Sequence, residues 1–422
     1  MTVSRALVRG GRLTFGLLLA LVGCGGDGPT NGSGGSAGSV EVTVVTSGSG
    51  SDADGYTVTI GGTNQVIGAN AAATLDNVPA GSQSVLVSGV ASHCRLLDAP
   101  QAATVTAGQT SQVTIEVECV GDIAIDNVNT LHHLTSEGEL IALTPVVNRI
   151  GLWKWAPDGS RIAFELDDGD QTDLWVVNAD GSGLTNLTGT ADFNEHRPDW
   201  SPDASTIVYS VAPSEGGGAE VWTIDASGSS TTPLATEGPI DWKPRWSPDG
   251  LRIAFASNRS GTETTWTMAP DGSDLVELTE EHATNPEWAP SGTHIAFESN
   301  RDGNQEVYVM GSNGSNPLNL SNSSDSEIGA DWFPDNGAFL FSGHRSGSYH
   351  IFVASIDGSA PVQLTTGENV TNQNANVSPD GDLIIYSRAI GASPGVYVMN
   401  ADGSDAWRVL NFGFDARWRP GG

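Results

Sequence analysis

The chain has 422 residues, enough for more than one domain at ~100–200 residues each. It carries 18 Lys+Arg against 50 Asp+Glu, a net charge of −32. Arg5, Arg9 and Arg12 all precede Cys24, so the part from Cys24 onward holds 50 acids against 15 basic residues, a net −35. A surface so acidic repels a phosphate backbone and argues against nucleic-acid binding. The 53 glycines and only 16% charged residues favour a turn-rich β protein over a helical one.

Residues 1–23 read as an export signal. Arg5, Arg9 and Arg12 form a positive leader, and Leu13–Val22 is an apolar run too short to span a bilayer as a permanent helix. The run ends in Leu21-Val22-Gly23-Cys24, which resembles the bacterial lipobox. That resemblance implies cleavage before Cys24 and lipidation of its sulfur. Residues 24–39 follow as a Gly/Ser-rich tether without apolar periodicity, suited to holding an anchored domain off a membrane. Gly34-Gly35-Ser36-Ala37-Gly38 matches G-x-S-x-G, but that nucleophile needs a strained strand-to-helix turn, which a flexible linker does not supply.

Residues 40–120 change character. Val40/Val42/Val44, Tyr56/Val58/Ile60, Val85/Val87 and Val113/Ile115/Val117 alternate with polar or small residues, the period-two pattern of half-buried strands. Turn residues break the runs, so a small antiparallel β-sandwich of six or seven strands is expected. Cys94 and Cys119, the cysteines left besides Cys24, are expected to pair in an oxidising compartment. His93 beside Cys94 lacks metal-site spacing.

Residues 121–422 are a repeat. Trp155-Ala156-Pro157-Asp158-Gly159 recurs at Trp200, Trp246, Trp288 and Trp332, as Val377-Ser378-Pro379-Asp380-Gly381, and as Trp418-Arg419-Pro420-Gly421-Gly422. The first six copies are followed by an apolar residue heading a second strand (Ile162, Ile207, Ile253, Ile295, Phe339, Ile384). A third strand carries an aromatic slot at Trp175, Trp222, Trp266, Tyr308, Phe352 and Tyr397. Four short strands per ~40–45 residues is the blade of a β-propeller. The seventh copy supplies a first strand only. Its second, third and fourth strands read as Gly121–Ile125, Leu131–Leu134 and Glu139–Thr144, so the expected ring has seven blades and is tied shut by its two ends. The fold expected is all-β, a sandwich followed by a seven-bladed propeller.

The pattern W-[SA]-P-D-G, then I-A-F, then [WY]-V-x-N-A-D-G-S resembles the WD40-like (PD40) repeats of TolB-type proteins, over Gly121–Gly422. Members of that family are periplasmic, carry six blades behind an α/β domain and bind a peptidoglycan-associated lipoprotein. This chain departs from them in its seven blades, its leading sandwich and its own lipidation signal.

The motif tryptophans are expected between blades. The Asp-Gly turns offer one carboxylate each, which suits a reversal better than a calcium loop. A ring of residues just before each motif, Lys154, Asp199, Arg245, Glu287, Asp331, Asn376 and Arg417, is expected to line the channel and pair with itself. Slightly earlier come His196-Arg197, Trp242-Lys243 and His282, from different blades of one face. With Arg245 these are the expected ligand or partner contacts, and Arg259, Arg301 and Arg345 are expected to rim them.

No nucleophile–base–orienter set is recognisable, and neither a metal nor a cofactor is expected. The reading is a monomeric, lipid-anchored, exported binding module of the bacterial cell envelope, with an envelope protein, peptide or glycan as partner. The alternative is a metal-dependent polysaccharide lyase with His196 and His282 converging at the ring centre, near Glu195 or Glu281. No segment reads as the α/β-hydrolase domain that propeller-bearing peptidases need.

Overall fold

The computed structural model describes residues 36–421 apart from 101, 236–239, 346 and 391–392. Cys24, the lipobox and the tether up to 35 lie outside the described residues. The described chain is strand, turn and loop, and none of its helices is long and apolar enough to cross a membrane.

Eight strands build the leading unit as two four-stranded sheets. One sheet runs Ala72–Pro79, Ala37–Ser47, Thr110–Cys119, Cys94–Asp98, and the other runs Thr63–Ile67, Tyr56–Ile60, Gly81–Ser88, Ala102–Val105. The alternating residues Val40, Val42, Val44, Tyr56, Val58, Ile60, Ile115 and Val117 meet in one core. Three features differ from expectation, the first being eight strands where six or seven were expected. The first strand starts at Ala37, inside the segment read as tether, because Ser39 N–H donates to Gln109 O. That strand also pairs in parallel with Thr110–Cys119, so the first sheet is mixed, a non-local pairing that alternation cannot reveal. Cys94 and Cys119 face each other across neighbouring strands and are joined by a disulfide.

The rest forms four-stranded units in a ring, seven of them among the described residues. Blade 1 begins with the inner strand Arg149–Trp155, blade 2 with Phe193–Trp200, blade 3 with Asp241–Trp246 and blade 4 with Thr284–Trp288. Blades 5 and 6 begin with Glu327–Trp332 and Thr371–Val377, and share one continuous sheet through a single parallel bridge, Tyr349 with Thr371. In blade 7 the inner strand Asp415–Trp418 pairs antiparallel with Ile123–Asp126, which continues to Leu131–Leu134 and Leu140–Ala142. Blade 7 then locks to blade 1. Arg419 Nε donates to Gly159 O at 2.7 Å, and the Arg417 guanidinium lies 5.2 Å from the Trp153 ring centre.

The apolar core lies between blades. Each of seven clusters draws on two neighbours, as where Ala163, Leu174 and Val176 of blade 1 meet Trp200, Ile207 and Tyr209 of blade 2. The motif tryptophans pack there, and four of them also donate the indole N–H backward. Trp200 reaches Lys154 O, Trp288 reaches Arg245 O, Trp332 reaches Glu287 O and Trp418 reaches Asn376 O, at 3.1–3.4 Å. In each case the acceptor directly precedes the previous blade's motif. A recurring tryptophan therefore supplies both apolar area and a fixed inter-blade hydrogen bond. The motif turns hold their own carboxylates: Asp158, Asp203 and Asp249 each accept bonds from their turn, which lowers their pKa. The two remaining cysteines and His93 do gather, but both sulfurs belong to the disulfide.

Candidate functional site

The inner strands set the channel wall. In blades 2 to 6 the inner strand carries a bulge near its end, where the register slips between the residue four before and the residue one before the motif position, as between His196 and Asp199 or Trp242 and Arg245. The bulge turns two positions toward the axis: the residue just before the motif, and the residue three before it. The second of these has left-handed backbone in five consecutive blades: Arg197 (φ 57), Lys243 (φ 56), Asn285 (φ 51), Gly329 (φ 76) and Asn374 (φ 54). The previous blade pins it. Arg197 N–H donates to Glu165 Oε1 at 2.6 Å, Lys243 N–H to Ser210 Oγ at 3.1 Å and Gly329 N–H to Glu298 Oε1 at 2.8 Å.

In the ring just before the motifs, Lys154, Glu287 and Arg245 pair with one another, and the other charged members find partners outside the ring. Glu287 accepts from Arg245 Nε at 2.8 Å and lies 3.5 Å from Lys154 Nζ. Burial opposes its ionisation, but Lys154 and Arg245 outweigh that and hold its carboxyl at about 2. Asp199 and Asp331 accept the backbone N–H of Trp246 and Val377 in the next blades, at 2.8 and 2.7 Å. Burial pushes Asp331 up to about 6. Arg417 pairs with Asp415 at 2.9 Å.

Two cavities that share lining residues lie inside the ring of inner strands. The narrower, about 250 Å³, is lined by Arg197, Lys243, Arg245, Glu287, Glu298 and their neighbours in the other blades. The wider, about 680 Å³, opens at the mouth and is lined by Glu165, His196, Arg197, Trp242, Arg417 and Phe414, among others. Arg197 borders both.

Five of the six expected contact residues thus reach the axis: His196 and Trp242 at the mouth, Lys243 and Arg245 deeper, and Arg197 between them. His196 leans on Glu165, with Nδ1 3.4 Å from Oε2. The Lys243 ammonium stands 4.1 Å above the Trp242 ring and donates to Thr284 Oγ1 at 2.8 Å. His282 is different. It lines neither cavity, and its Nε2 lies 3.6 Å from Glu263, whose other oxygen accepts the Trp242 indole N–H at 2.9 Å. The two histidines do not share a cavity because the loop carrying His282 sits outside the inner strand that aims His196.

The expected rim of arginines is also corrected. Arg259 pairs with Asp241 and lies over Trp266, Arg301 pairs with Glu281 and lies over Tyr308, and Arg345 pairs with Glu327 and lies over Phe352. Each covers its own blade's third-strand aromatic, so these guanidiniums brace single blades and line neither cavity.

Sequence reasoning missed the contribution of blade 7 at the mouth. Asp126 and Asp415 are cross-strand partners at the seam, both buried and both lining the wide cavity. Burial, reinforced by Asp415, pushes the Asp126 carboxyl up to about 7. Counting three residues back from Trp418 would have found Asp415; Asp126 becomes visible only once the seam pairing is known.

A family model described as the TolB beta propeller domain (PD40) matches residues 194–285 and 274–417. The curated Tol-Pal system protein TolB of Anaeromyxobacter dehalogenans (strain 2CP-C) is 62% identical over 34 residues, 8% of this chain and 8% of that protein. The chain therefore matches a small part of the length of that relative. Among solved structures, a puromycin hydrolase is similar with TM-score 0.57 and 18% identity, over 70% of this chain and 53% of that one. An oligogalacturonate lyase in complex with manganese follows with TM-score 0.51 and 16% identity, over 68% and 82%. At these identities the likeness is one of fold.

Proposed function

We propose that this chain, which belongs to the TolB beta-propeller (PD40) family, is a binding module of the bacterial cell envelope that receives its partner at the mouth of the propeller channel. The observation that carries this reading is the wide cavity, where His196, Arg197 and Trp242 from neighbouring blades present an imidazole, a guanidinium and an indole on rigid strands. A propeller wall fixed by inter-blade bonds presents such groups with little ordering penalty on binding. The curated relative named for the Tol-Pal system supports an envelope setting and a protein partner. The lipobox-like Leu21-Val22-Gly23-Cys24 supports export and a lipid anchor on Cys24.

The lyase-type alternative finds less support. It rests on His196 and His282 converging, and the two rings border different spaces.

The test is capture from crosslinked envelopes of the native host. The wild-type chain should retain a specific partner, and Trp242→Ala should lose about tenfold or more of it, as for a buried aromatic contact. Cys24→Ser should release the chain from membranes. Absence of any specific partner, or capture indifferent to the mouth, contradicts the proposal.

A further inference from the structure

We propose that Arg197 and Lys243 form an anion-binding subsite in the channel, which takes a carboxylate or phosphate group of the ligand. The inference rests on the reading of the mouth as a binding face and names the chemistry recognised there.

In blades 4, 5 and 6 the left-handed bulge position holds Asn285, Gly329 and Asn374, the residue types that adopt positive φ with least strain. The adjacent blades 2 and 3 place Arg197 and Lys243 there at φ 57 and 56. Long unbranched side chains gain nothing from that backbone. What they gain is position, because the bulge aims them at the axis, and strain held at such a point marks a functional constraint.

Neither cation has an ion-paired acid among the described residues. The Arg197 guanidinium borders both cavities and makes no hydrogen bond or ion pair among the described residues; only its backbone N–H is engaged. The Lys243 ammonium, in a residue 8% exposed, has one neutral acceptor in Thr284 and the Trp242 ring face. An ammonium has three donors, so capacity remains. Three other channel cations are different: Arg245 and Lys154 are paired with Glu287, and Arg417 with Asp415.

The nearby carboxylates are already occupied. Glu165 accepts the Arg197 amide and faces His196. Glu263 accepts the Trp242 indole and faces His282. Glu298 accepts the side-chain amides of Asn285 and Gln305 and the Gly329 N–H. These acids soften the local field without satisfying the two cations. An entering oxyanion would meet the planar fork of Arg197 and the free donors of Lys243, the strong charge-assisted geometry.

The sequence offers a selective probe, since Lys154 and Lys243 are its only lysines. The full chain, labelled with 13C-lysine, is titrated by NMR with citrate and separately with inorganic phosphate, and Lys243→Arg assigns the resonances. The expected result is a saturable shift of the Lys243 side-chain signals with a smaller change at Lys154, which Glu287 already engages. The anion that saturates at lower concentration identifies the group recognised. Arg197→Asn should weaken the response about tenfold, the loss of one charge-assisted contact, while Tm stays equal or rises because asparagine suits this backbone. No saturable Lys243 shift with either anion, or a shift that Arg197→Asn leaves intact, overturns the subsite. Partner capture that survives Arg197→Asn also overturns it, yet leaves the mouth as the binding face.

Discussion

At the scale of single residues, the seam carries an unusual demand. Asp126 and Asp415 lie opposite each other, each buried and each with one carboxylate oxygen lacking a hydrogen-bond partner. Burial, with Asp415 adding repulsion, raises Asp126 to about 7 in the fold, above the ordinary aspartate value of 3.8. The folded state therefore binds a proton there more tightly than the unfolded chain. The resulting stability is complete below the ordinary value and is lost as pH rises through about 7. Asp126→Asn keeps the shape, removes the charge and offers a donor to Asp415. It should raise stability at pH 8 by about 1–3 kcal/mol, the range for relieving an unmet buried polar group, and the gain should shrink toward pH 5. Thermal denaturation of both proteins at the two pH values checks this; an equal shift at both, or a loss at pH 8, would contradict it. Two further buried carboxyls, Glu195 and Glu327, are also pushed up to about 7 by burial, so the wild-type Tm should itself fall between pH 5 and pH 8.

Among strands and sheets, the staple in the leading unit matters most. Cys94–Asp98 is an edge strand held to Thr110–Cys119 by its ladder and by the disulfide, which closes a separation of 25 residues. Replacing both cysteines by serine should lower the stability of that unit by about 3 kcal/mol, the chain-entropy figure for such a loop. A lower first transition in calorimetry, with the propeller transition little changed, is the expected reading; an unchanged thermogram would contradict it. What the sequence made legible at this scale follows from local physics. The motif tryptophans and Asp-Gly turns mark strand ends because packing and turn chemistry act over a few residues. The parallel pairing of Ala37–Ser47 with Thr110–Cys119 was hidden, since alternation tells which face is buried and not which strand lies alongside. The bulges were hidden too, and they decide which side chains see the channel. That is why Arg197 and Lys243 reach it; His282 lies before its inner strand, and Arg259, Arg301 and Arg345, near the second-to-third-strand turns, cover their own blades' aromatics.

For the whole molecule, a ring closed by its own distant segments gives two unlike faces around one axis. The Asp-Gly turns occupy one face, with carboxylates engaged locally. The other carries the mouth, with an unpaired guanidinium, an indole and an imidazole in a chain whose net charge is −32. Placing cations inside a channel of an acidic protein focuses attraction for an anionic group at that one point and leaves the outside repulsive to polyanions. Phe414 lines the mouth and is 46% exposed, whereas Leu251 follows the Asp249-Gly250 turn and is 68% exposed. A photo-crosslinking amino acid placed at each position in turn, in the full chain within its native envelope, compares the two directly. Crosslinks to a specific partner from position 414 and none from position 251 are predicted; capture from position 251 alone would contradict the assignment of the binding face.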